Sequence, residues 1–124
     1  MKPGEQGFTR LVSATRYSWQ GIRAAWRHEA AFRQEATLAV IGFPLAVLLA
    51  EDVVQFLLLV IPLILLMLAE LANSAIEAIV DRLGQEADEL SGRAKDMGSA
   101  VVFMAIMIAG LSWCTILGAR FFQA

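Results

Sequence analysis

"LILLMLAELANSAIEAIVDR", residues 63 to 82, begins as hydrocarbon-soluble sequence and then takes on Glu70, Asn73, Glu77 and Asp81. No Pro or Gly interrupts it, so one helix carries both halves. At about 100° per residue, Asn73, Glu77 and Asp81 fall about 60°, 20° and 20° from Glu70, on one face within an ~80° arc. Glu70 and Glu77 are two turns apart, roughly 10 Å along the axis. Counted from Val53, Glu70 lies ~26 Å along the helix, near one edge of a ~30 Å hydrocarbon core. Leu71, Ala72, Ala75, Ile76, Ala78 and Ile79 keep the other faces apolar, so Glu70 and Asn73 are still surrounded by lipid or protein. An ionisable group at that depth costs free energy and is a functional candidate. Asp81, further out, is consistent with plain solvation.

The rest of the chain agrees with a membrane reading. Of its 124 residues 58% are hydrophobic, against about 45–50% in a soluble domain. The length suits one domain, 1–124. The run at 36–50, "ATLAVIGFPLAVLLA", is short for a span, so its helix is expected over about 30–50, with Pro44 tolerated inside it. A second span is expected over about 53–80. A third, over about 94–120, contains the uncharged run 97–119. The pair Glu51–Asp52 reads as a tight turn, and 81–96, "DRLGQEADELSGRAKD", as a polar loop. Arg82, Arg93 and Lys95 in that loop, with the arginines before residue 35, put the N-terminus and the 81–96 loop on the cytoplasmic side. No early apolar core suggests a signal peptide. The single Cys114 cannot form an intrachain disulfide and reads as a packing or lipid-facing residue.

Before the first span, Phe8, Leu11, Val12, Trp19, Ile22 and Trp26 recur at helical spacing, with Arg10, Arg16, Arg23 and Arg27 mostly off that stripe. This predicts an amphipathic surface helix over about 6–28, with tryptophans at headgroup depth and arginines near lipid phosphates. The alternative is a cytoplasmic helix packed on protein. The expected fold class is therefore an all-α membrane protein, one surface helix plus three transmembrane helices. Formal net charge is −2, so no overall basic surface suggests nucleic acid.

The acidic row leaves three chemistries open. Carboxylates and an amide can hold Mg²⁺, which shares its oxygen ligands with phosphates. A desolvated Glu can act as a general base. A polar row can also line an ion path. Arg93 and Lys95 offer phosphate contacts, and Glu29 can close over the same edge. Together these groups suggest phosphoryl transfer at a membrane surface. Neither GxxxxGK[ST] nor a kinase-type GxGxxG is present, so a nucleotide site here is of another design.

These residues closely resemble the small bacterial integral-membrane diacylglycerol kinases. The matching text includes "GFTR" (7–10), "YSW" (17–19), "EAAFRQE" (29–35), "NSAIEA" (73–78), "ELSGRAKDMGSA" (89–100) and "WC" (113–114). The resemblance implies a homotrimer with sites at the cytoplasmic interface, shared between neighbouring protomers. It implies transfer of the γ-phosphate of Mg·ATP to diacylglycerol in the inner membrane. On it, Glu70 is the expected general base and also a substrate contact, while Glu29 and Glu77 are the expected metal ligands. Arg10, Tyr17, Glu86, Asp88, Lys95 and Asp96 join Glu29 and Glu77 as expected ATP contacts. Ala14, Trp19, Arg23, Trp26, Ala31, Glu35, Ser99 and Trp113 are expected to meet the lipid, with Asn73 and Asp81 as supporting polar residues. Four positions depart from the best-known members: Ser13 for a lysine, Arg16 for a glycine, Phe56 for an arginine and Asp88 for a histidine. Two other readings remain, a kinase for another lipid alcohol such as undecaprenol, and a non-enzymatic polar-lined membrane oligomer.

Overall fold

A computed structural model of the chain describes residue 4, residues 6–83 and residues 88–122. The described residues are helical, with no strand among them: α1 Gly7–His28, α2 Ala30–Leu49, α3 Val53–Arg82 and α4 Glu89–Phe122. The last three are long and apolar enough to cross a membrane. α3 is the central element and packs against both α2 and α4, while α1 touches α2 and α3 more lightly.

Each junction has a local cause. At Glu29 the backbone becomes extended (φ −117°, ψ 107°), which ends α1 and starts α2 at one residue. α1 thereby leaves carbonyls without helical partners. Arg33 turns back and donates from Nη1 to the carbonyls of Trp26 (2.8 Å) and Arg27 (3.2 Å). At the Glu51–Asp52 turn, the Asp52 carboxylate accepts from the Gln55 N–H at 2.8 Å, and Gln55 Oε1 accepts from the Glu51 N–H at 3.0 Å. This reciprocal pairing fixes the start of α3. Arg120 meets Glu51 at 3.4 Å, so the end of α4 and this turn share one end of the bundle.

The polar stretch 81–96 is not a loop throughout. α3 continues to Arg82, and α4 begins at Glu89 rather than near residue 94. The reason is a cap: the Asp88 carboxylate accepts from the Ser91 N–H at 2.8 Å, and its backbone carbonyl from the Gly92 N–H at 3.1 Å. Charged residues do not stop a helix once it has left the membrane; they lengthen it into solvent.

Packing inside the bundle joins α3 to both neighbours. Ala46, Leu59, Val60 and Ile116 form one buried cluster, and Leu66, Ala69 and Ala105 a second. Trp113 donates from Nε1 to the Leu59 carbonyl at 2.9 Å, tying α4 to α3. Phe56 stands edge-on to Phe43, with centroids 5.6 Å apart. Outward faces carry Val40, Leu48, Ile64, Leu68, Met104 and Leu111, an apolar surface suited to lipid.

Candidate active site

The site gathers at the end of the bundle opposite Glu51. α3 holds Glu70 and Glu77 on one face, and the corner at Glu29 and the first turns of α2 bring two further acids to it. Glu70 is only 6% exposed. It lies in the fields of Glu77 and Glu29 and beside Glu35 of α2. Carboxylates from three places in the sequence thus converge around one buried group. Glu35 Oε2, Asn73 Oδ1 and Ser74 Oγ are buried without hydrogen-bond partners. Unpaired polar atoms are rare in proteins and collect where something else completes them.

Asn73 lies between the row and α4. Its Nδ2 donates to Glu77 Oε1 at 3.3 Å. Asp81, the outermost acid, accepts from Lys95 Nζ at 3.1 Å, so Lys95, an expected nucleotide contact, reaches the same end of the row. Asp96 and Ser99 are exposed on α4. Asp88 caps α4, and the Ser91 N–H holds its carboxyl below the ordinary carboxylate range. Glu86, also expected to meet the nucleotide, lies outside the described residues.

α1 closes the site on one side. A cavity of about 620 Å³ lies between α1 and α3, lined by Ser18, Ala25, His28, Glu29, Leu71 and Ser74 among others. Trp19, Arg23 and Trp26 border a second cavity, of about 460 Å³, with Phe32, Ala36 and Met67. Arg10 is exposed near the start of α1, while Ala14, Tyr17 and Ala31 are half-buried. Ser13 is buried, and the Arg16 guanidinium lies 5.5 Å from the centre of the Tyr17 ring. A third cavity, of about 500 Å³, runs between α2, α3 and α4. Glu35 and Trp113 both line it, together with Leu38, Ile41, Leu66 and Ile106. Two of the expected lipid contacts therefore share one apolar groove.

Among the described residues, no three His, Cys, Asp or Glu side chains form a ready metal cage. Glu29 and Glu77, the expected metal ligands, are both half-buried.

Three apolar helices with buried carboxylates at one end define a membrane-embedded protein with a polar site at the bundle's edge. The model for prokaryotic diacylglycerol kinase matches residues 16–117, and the chain belongs to that family. It is 51% identical over 115 residues to a diacylglycerol kinase of Escherichia coli strain K12, covering 93% of this chain and 94% of that one. It is 49% identical over 111 residues to the Haemophilus influenzae diacylglycerol kinase, covering 90% and 94%. To the Pseudomonas aeruginosa diacylglycerol kinase it is 46% identical over 114 residues, covering 92% and 93%.

Proposed function

We propose that this chain phosphorylates diacylglycerol with ATP, giving phosphatidic acid, at the cytoplasmic face of the bacterial inner membrane. The observation that carries the reading is Glu70, buried at the edge of the apolar bundle with Glu29 and Glu77 beside it. A lipid hydroxyl is a weak nucleophile at neutral pH, and ATP does not enter the bilayer. A base at bilayer depth and phosphate-binding groups at its rim answer both problems.

In this reading the lipid chains lie along the apolar groove beneath Glu35, and the headgroup hydroxyl reaches Glu70. Glu70 takes the hydroxyl proton as the oxygen bonds to the γ-phosphorus and ADP leaves. Glu29 and Glu77 hold Mg²⁺ together with the phosphates. Bound there, Mg²⁺ neutralises charge on the transferring phosphoryl group. Lys95 and Arg10 face the nucleotide phosphates. Trp19 and Trp26 seat α1 in the headgroup layer, and the arginines of α1 keep it on the cytoplasmic side. Three copies assemble so that neighbouring surfaces screen the acids from lipid, small residues of α3 such as Ala72 and Ala75 allowing close approach.

Glu70→Gln tests the assignment. Purified in mixed micelles, it is expected to lose phosphorylation of diacylglycerol by at least about 100-fold, the scale of a lost general base, while still binding ATP. Strong residual turnover would remove Glu70 from that role. In the same assay undecaprenol serves as the competing acceptor. Preference for it would keep the phosphoryl chemistry and change the substrate.

A further inference from the structure

Gly98 is buried in α4 and faces Asn73 of α3. A Cβ at Gly98 would collide with Asn73 Oδ1 and stand 3.4 Å from Ile76 Cδ1. Asn73 Oδ1 is itself buried and has no hydrogen-bond partner, while Nδ2 donates to Glu77 Oε1 at 3.3 Å. The amide therefore has one chemically sensible orientation. Flipped, it would set a carbonyl against the Glu77 carboxylate. A short side chain on a helix also has few staggered alternatives. We infer that Gly98 is a positioning residue for the kinase: its missing side chain leaves the pocket for the Asn73 carbonyl, and this aims the Asn73 amide at Glu77. The inference rests on the reading of Glu77 as a ligand of the nucleotide's metal. A partner that orients a ligating carboxylate changes metal affinity or activity by about 10–100-fold when lost.

The test uses Mn²⁺ as the probe, its binding followed by electron paramagnetic resonance on the full-length protein in detergent with a non-hydrolysable ATP analogue. Gly98→Ala is expected to raise half-saturating Mn²⁺ about tenfold. Gly118→Ala, on the same helix where a Cβ meets nothing within 4 Å, is expected to leave it unchanged. Asn73→Ala is expected to match Gly98→Ala, and the double variant to be no worse than Asn73→Ala alone. Wild-type Mn²⁺ binding by Gly98→Ala overturns the inference. So does a double variant that loses the full Gly98→Ala factor on top of Asn73→Ala, because the effect then bypasses Asn73. If Gly98→Ala does not fold, adding Asn73→Ala should restore folding by removing the colliding oxygen, and no restoration is equally fatal. Glu77→Gln separates the two ideas. Unchanged Mn²⁺ binding there ends the metal-ligand reading, and the Gly98–Asn73 cycle, repeated on turnover, still decides the positioning role.

Discussion

Lys95 and Asp81 form an ion pair whose side chains remain 45% and 65% exposed. A pair that open contributes about 0–1 kcal/mol, too little to explain why a lysine should stand there. The flexible ammonium can leave Asp81 for a phosphate at little cost. Lys95→Met is therefore expected to raise KM for ATP about tenfold, the loss of one charge-assisted hydrogen bond. Asp81→Asn is expected to leave the thermal midpoint nearly unchanged. Steady-state kinetics and a thermal melt check the two halves, and a large drop in midpoint for Asp81→Asn would make the pair structural. Two of the departures also have local accounts: the Arg16 charge lies over the Tyr17 ring, and Phe56 packs against Phe43.

α4 shows how an element can be longer than its apolar sequence. Its first turn hangs on the Asp88 cap, whose carboxyl is held below the ordinary range by the Ser91 N–H. A carboxyl depressed in the folded state adds stability above its unfolded pKa, and that stability is lost as pH falls through the folded value. The wild type is expected to soften as pH drops below about 4. Asp88→Asn, which keeps a capping side chain, should lack that part of the dependence. Melting curves followed by circular dichroism across the acid range test this; identical pH profiles would end the idea. The three spans are readable from their apolar runs, and the acidic face of α3 from 63–82, because helical period and apolar length are local properties. The cap at Asp88 is not, because "DRLGQEADELSGRAKD" looks like solvated loop until one knows which acid accepts from the next turn. The approach of Glu35 to Glu70 and of Gly98 to Asn73 leaves no trace in spacing. Both depend on how α2 and α4 settle against α3, which is set by packing between distant positions.

In the whole molecule, one chain already brings Glu29, Glu35 and Glu77 around Glu70. Glu70 and Glu77 share one face of a single helix, so the proposed site takes both from one chain. The proposed trimer can then divide its sites between neighbours only by placing other groups, such as those of α1, across the boundary. Mixing tests this directly. Glu70→Gln and Glu77→Gln protomers, unfolded together and reassembled, are expected to recover no activity beyond that of either variant alone. Each chain carries one of the two substitutions, so a site built on a single chain's α3 always has either Glu70 or Glu77 replaced, and every site is defective. Recovery of activity would require Glu70 and Glu77 to serve different sites, with a neighbour's α3 replacing the damaged acid. The carboxylate row would then be an interface between protomers rather than one chain's own catalytic face.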